Sequence, residues 1–231
     1  GYIVREGEIQ KNLIQKFSEN KVESFWGEAV QRVNFSSDEI FCETDKQTHI
    51  AKMIVGCDGM NSKVRELSEI NYRSWSYNQT AVVANFKTSI NESCIKQTFT
   101  SVGPLALLPI NDKESTMIWS IDDDVSYKFL AMSDEEFTSE VVNKFGEQIG
   151  ELNMISKRQH FPLHHLSAKT FAKKGIFLVG DSAHHIHPLA GLGLNSGIGD
   201  VICLSELIES NSLENLEEII LAYNRKRIPI N

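Results

Sequence analysis

The sequence predicts a mixed α/β (α+β) fold, in which a Rossmann-like layer with a three-stranded meander is interrupted by an inserted antiparallel sheet. Three observations predict it. Two short apolar runs, Ile54-Val55-Gly56 and Ile176-Phe177-Leu178-Val179, each lead into a turn that carries an aspartate, Asp58 or Asp181. Between them, strand-like segments follow one another with short polar breaks. After the second aspartate comes a glycine-rich turn and then a long helical pattern.

The elements follow in order. A helix is expected over 5–20, where Ile9, Leu13, Ile14 and Phe17 share one face and charged residues fill the other. Three strand-like pieces come next, 22–33, 39–44 and 49–55, separated by Ser36-Ser37-Asp38 and Asp45-Lys46-Gln47, as suits an antiparallel meander. The third runs into Gly56-Cys57-Asp58-Gly59 and a short helix with Asn61 or Ser62 near its cap. Strands over 81–88, 95–100, 105–109 and 116–121 form one antiparallel sheet. Ser133 starts a helix, with Glu136 three residues on as a capping box, that reaches Phe145. The run 154–166 is extended again, 175–180 is a short buried strand, and helices cover 194–210 and 216–227. The expected division is a partial nucleotide-binding domain from 1–70 and 154–231, with the inserted sheet domain at 71–153.

Composition narrows the function. Hydrophobic residues make up 41% of the 231, enough for a real core, and a net charge of −8 without a long basic run argues against nucleic acid as the main partner. The four cysteines, Cys42, Cys57, Cys94 and Cys203, form no C-x-x-C pair and suggest neither a disulfide framework nor a zinc knuckle, which fits a reducing cytoplasm. No apolar run is long enough to span a bilayer. The chain starts at Gly1 rather than Met and stops at Asn231 just past a helical pattern, so an internal fragment is expected.

The stretch from Gly180 to Asn195 carries the chemistry. Asp181 leaves a buried strand where its carboxylate can accept hydrogen bonds from sugar-like hydroxyls. Gly191 and Gly193 remove side chains, so backbone can lie against a flat ligand. The helix that follows aims free N–H groups and its positive dipole end at whatever sits there, which suits an anion. In open α/β sheets ligands sit at the carboxyl ends of strands, which also selects Asp58. The competing reading, an ordinary strand-turn-helix, fits an isolated G-x-G better than it fits the whole string. His184, His185 and His187 raise a metal reading, but no carboxylate–histidine pattern recurs elsewhere, and packing within the turn explains them more simply. Gly191-x-Gly193-x-x-Ser196 is not a dinucleotide fingerprint, because the histidine turn and Pro188 separate it from the preceding strand.

Gly180-Asp181 through Asn195 resembles the second flavin-binding motif of class A flavoprotein monooxygenases, and Val55-Gly56-Cys57-Asp58-Gly59 through Arg65 resembles their middle motif. The stretches 77–85 and 99–109, with Ser133-Asp134-Glu135-Glu136-Phe137, resemble the ubiquinone-biosynthesis hydroxylases among them. The resemblance implies that NAD(P)H reduces FAD and that the reduced flavin activates O2 for transfer to an electron-rich polyprenyl phenol. The cofactor carries that chemistry, so no catalytic acid or base is assigned. By the same resemblance Asp181 holds the ribityl chain. Pro188, Gly191, Leu192, Gly193, Leu194 and Asn195 line the ring edge, Gly180 belongs to the same cofactor-binding set, and Asp58 serves the cofactor and the nicotinamide approach. Arg65 reads as a solvated helix charge, and the family's first dinucleotide motif is missing. Phe86, Phe99, Leu105, Leu107, Met117 and Trp119 could line a pocket for the prenyl tail or form ordinary sheet core. The resemblance allows peripheral contact with the inner membrane or a place in a ubiquinone-biosynthesis complex. A same-fold reductase or halogenase, or a flavin-free truncated chain, are the alternatives.

Overall fold

The computed structural model describes residues 3–36, 39–89, 94–211 and 213–230; Ser37 and Asp38 of the expected break, and the end residues Gly1, Tyr2 and Asn231, lie outside them. In chain order its elements are α1 (Glu6–Glu19), β1 (Val30–Phe35), β2 (Ile40–Thr44), β3 (Thr48–Ala51), β4 (Ile54–Gly56), α2 (Lys63–Leu67), β5 (Tyr72–Thr88), β6 (Lys96–Thr100), β7 (Gly103–Asn111) and β8 (Glu114–Asp122). They continue with α3 (Asp123–Ala131), α4 (Asp134–Phe145), β9 (Leu152–Met154), β10 (Gln159–Ala168), β11 (Ala172–Lys173), β12 (Ile176–Leu178), β13 (His184–His185), α5 (Leu192–Ser210) and α6 (Leu216–Arg227). Two compact units result: one joins 1–24 to 77–163, the other joins 25–76 to 164–231.

In the first unit β5, β8, β7 and β6 lie side by side, all antiparallel, and β9 pairs with β5. Registers such as Val82↔Trp119 and Leu105↔Trp119 put Val82, Ala84, Phe86, Leu105, Leu107, Met117 and Trp119 on one face, as the two-residue period requires. That face is buried under Phe129 of α3 and Phe137, Val141 and Phe145 of α4, with the Trp119 and Phe129 rings edge-on at 4.8 Å. These residues are therefore core, whereas Phe99 stands 77% exposed. The Ser133–Glu136 capping box starts α4. Arg158 clamps the α3–α4 junction by donating to the carbonyls of Phe129 and Met132 while lying 5.0 Å over the Phe137 ring. α1 matches the expected helix, with Glu6 and Glu8 at its amino end and Lys16 near its carboxyl end. None of its residues is buried among the described residues.

The second unit holds the meander β1–β2–β3 and a small sheet in the order β11–β12–β4. β12 and β4 run parallel, with Ile176↔Ile54, Phe177↔Val55 and Leu178↔Gly56 opposite one another. Cys203, Leu204 and Leu207 of α5 and Ile219 and Tyr223 of α6 complete the core around Phe177 and Leu178. The Tyr223 hydroxyl donates to the Leu178 carbonyl at 2.9 Å, and burial pushes its ionisation far above the usual phenol range.

Three expectations need correction. Residues 22–29 are not a strand: Gly27 adopts φ 69°, which breaks the extended run despite the aromatic pair Phe25-Trp26. The third meander piece divides into β3 and β4, which belong to different sheets. α3 was not anticipated, although Asp123 and Asp124 at its first turn favour a helix start. Among the described residues no helix is long and apolar enough to cross a membrane.

Candidate functional site

The parallel pairing of β4 with β12 sets their carboxyl ends side by side, so the loops carrying Asp58 and Asp181 are neighbours within one unit. The two loops are stitched together. The Ser182 hydroxyl donates to the Gly56 carbonyl at 2.6 Å, and Arg65 donates to the Ser182 carbonyl at 2.8 Å and the Met60 carbonyl at 2.7 Å. Arg65 is only 4% exposed, and its guanidinium lies 4.5 Å over the Tyr72 ring. The solvated-charge reading of Arg65 is thus overturned. A fixed planar fork can satisfy two carbonyls of different loops at once, which a lysine could not reproduce.

Asp58 is committed to the local turn. One carboxylate oxygen accepts from the Lys63 and Val64 amides at 2.7 and 3.0 Å, and the other accepts from the Ser62 hydroxyl. Ser62 in turn accepts the Arg65 amide at 2.9 Å, so serine and aspartate together cap α2. Asp58 shapes the loop through these bonds.

The second loop is anchored from below by Asp200, which is fully buried. One oxygen accepts from the Gly180 amide at 2.9 Å and from His184 Nε2 at 2.6 Å, and the other accepts from Arg227 Nε at 2.6 Å. Burial alone would raise this carboxyl, but the bonds from His184, the Gly180 amide and Arg227 outweigh it and hold it below the usual carboxylate range. α5 lies so close to this turn that a Cβ on Gly197 would sit 3.2 Å from the Gly180 Cα. Above the anchor, Asp181 is half exposed, and one of its oxygens accepts from His185 Nδ1 at 2.8 Å. His184 and His185 thus serve different carboxylates, as hydrogen-bonding groups within the turn.

After Pro188 and a single helical turn, Leu189–Gly191, α5 begins at Leu192. Gly191 is its N-cap in the left-handed conformation, no side chain caps the helix, and Asn195 Nδ2 donates to the Gly191 carbonyl at 3.0 Å. Leu192 and Leu194 are exposed, and the space beside Gly193 is open for at least 4 Å around a notional Cβ. The start of α5 therefore offers uncapped amides, bare backbone at Gly193 and two exposed apolar side chains. An uncapped helix start of this kind favours an anionic group, and the second Asp181 oxygen can accept a further hydrogen bond.

The structure thus gathers Asp58, Gly180 and Asp181 on adjoining strand ends and places Pro188, Gly191, Leu192, Gly193, Leu194 and Asn195 at the amino end of α5. Sequence reasoning missed Asp200, Arg227 and the value of Arg65. An acid within the apolar run Gly197-Ile198-Gly199-Asp200-Val201-Ile202 was the available signal for the first of these.

Fold and strand-end loops together define an α/β protein of the dinucleotide-cofactor-binding class. The chain belongs to the FAD-binding domain family, whose model matches residues 8–231. It is 35% identical over 164 residues to ubiquinone hydroxylase UbiL of Rhodospirillum rubrum, a match covering 71% of this chain and 38% of that protein. It is 30% identical over 196 residues to the human mitochondrial ubiquinone biosynthesis monooxygenase COQ6, covering 70% and 42%. Against 3-demethoxyubiquinol 3-hydroxylase of Escherichia coli the identity is 31%, covering 68% and 40%. The chain therefore spans less than half the length of these curated relatives. Among solved structures it superposes on the flavin-dependent halogenase CmlS with a TM-score of 0.79 at 16% identity, covering 97% of this chain and 44% of that one. On p-nitrophenol 4-monooxygenase PnpA from Pseudomonas putida the TM-score is 0.74 at 18% identity, covering 98% and 61%. These structural likenesses establish the fold.

Proposed function

We propose that this chain is part of an FAD-dependent monooxygenase that hydroxylates a polyprenylated phenol in ubiquinone biosynthesis, with NAD(P)H as reductant and O2 as oxidant. The observation that carries the reading is the stitched pair of loops at the carboxyl ends of β4 and β12, beside the uncapped start of α5. The three relatives named above, each a hydroxylase or monooxygenase of ubiquinone biosynthesis or a ubiquinol hydroxylase by name, supply the reaction class.

In this reading the bound flavin supplies electron transfer and oxygen activation. The protein's own residues bind and orient. Asp181 would accept from ribityl hydroxyls, Pro188 and the segment Gly191–Asn195 would support the ring edge, and the α5 amides would favour negative charge there. Asp58 contributes by fixing the loop on β4. The inserted sheet is the substrate element. Its inner face is filled by α3 and α4, so a phenol and its tail are assigned to the opposite face, where Val83, Leu108 and Ile118 are half-buried between strands. Peripheral association with the inner membrane or with a biosynthetic complex belongs to the same reading.

The test is direct. The complete protein should purify with flavin absorbance and oxidise NAD(P)H faster when a prenylated phenol is added, forming the hydroxylated product by mass spectrometry. A flavin-loaded protein with no phenol-stimulated oxidation would sink the monooxygenase reading and leave the reductase alternative.

A further inference from the structure

Asp181 has a partner that neither the strand-end argument nor the family resemblance supplied. His185 stands on β13, opposite Leu166 of β10, and its Nδ1 donates to one Asp181 oxygen at 2.8 Å. Both side chains are partly exposed, at 29% and 45%, so the pair sits at the surface of the site rather than in the core. The imidazole is held from two directions, by the β13–β10 pairing of its backbone and by the carboxylate in front. The titratable groups that face it are Asp181 from the turn and His165 from β10, whose own ring stacks on Trp75 of β5 at 3.8 Å.

We propose that His185 is a positioning residue for Asp181: by occupying one carboxylate oxygen it aims the other at ligand hydroxyls, and its proton makes cofactor affinity follow pH. This rests on the cofactor site assigned above. Two effects act together. A carboxylate with one oxygen pinned loses rotational freedom before the ligand arrives, so less is lost on binding. A charged imidazolium also offsets the Asp181 charge, which otherwise faces an anionic cofactor at short range.

The direction of the pH effect follows. The bond to Asp181 and its charge favour protonated His185, against the opposing pull of burial, and move its titration above the ordinary histidine range. The proton is therefore kept below that raised value and lost as pH climbs through it. Affinity for FAD should be highest at mildly acidic pH and fall on the alkaline side. By reciprocity, bound FAD should raise the histidine's titration further.

The experiment uses the complete protein, stripped of flavin. FAD affinity is measured by flavin fluorescence between pH 6 and 9, and His185 is followed by NMR in the ligand-free protein, with and without Asp181→Asn. The wild type should lose affinity by about tenfold across that range. His185→Asn, whose amide nitrogen can still donate, should bind with no pH dependence, and His185→Leu should bind more weakly throughout. The His185 midpoint should drop in Asp181→Asn. A wild-type pH slope retained in His185→Asn, or a midpoint that ignores Asp181→Asn, overturns the proposal while leaving the cofactor site standing. A protein that shows the His185–Asp181 coupling by NMR but binds no FAD at all overturns the cofactor reading and this inference with it.

Discussion

Asp200 ties several elements of the second unit together. It joins the Gly180 turn, β13, α5 and α6 through three hydrogen bonds to a carboxylate with no solvent exposure. Asp200→Ala would remove the buried carboxylate to which Arg227 Nε and the Gly180 amide donate. A loss of about 3–5 kcal/mol is expected in urea unfolding. The pH dependence has a definite sign. Because the native carboxyl is held below its ordinary value, its stabilisation is complete above that ordinary value and disappears as pH falls through the native one. Acid unfolding of the wild type should therefore show a stability loss beginning near the ordinary carboxylate range, and Asp200→Asn should lack that component. At this scale the sequence was only partly legible. Asp181 and the glycines announced themselves through spacing. Asp200 and Arg227 did not, because their meaning depends on a 27-residue separation that only helix packing closes.

At the scale of elements, the helix starts were the most legible features. Ser133 and Glu136 form the capping box that their spacing predicts; Ser133→Ala should cost about 1 kcal/mol by thermal or chemical unfolding, with little change in the sheet. Of the two cap candidates Asn61 and Ser62, the structure uses Ser62, and Asp58 shares the task. The parallel pairing itself was hidden, since two three-residue strands carry no sign of their partner. Gly103 shows another kind of hidden constraint. It has φ 130°, and a Cβ there would fall 2.0 Å from the Ser120 carbonyl oxygen, which belongs to the adjacent strand backbone. Gly103→Ala should destabilise the inserted sheet by several times the roughly 1 kcal/mol of an ordinary loop substitution, read as a lowered unfolding midpoint. α3 escaped notice because its apolar positions, Val125, Phe129 and Leu130, span barely two turns, too few to establish a period.

At the scale of the whole molecule, each unit is assembled from two stretches of chain, and the sheet core of the first unit is built mainly from neighbours in sequence. β7 and β8 are joined by the turn between Asn111 and Glu114, and β6 and β7 by the turn between Thr100 and Gly103. The second unit differs, because the Ser182 hydroxyl reaches the Gly56 carbonyl across 126 residues. This separation has a consequence for the newborn chain. At ~5–20 residues per second, a ribosome delivers the first loop roughly ten seconds before its counterpart. During that wait the hairpins of the insert, being local, can order themselves, while Ile54-Val55-Gly56 has yet to meet its mate. Closing so long a span costs little more than closing one half its length. What this topology imposes is lateness rather than weakness: the turn that carries Asp181 arrives well after the strand beside which it docks.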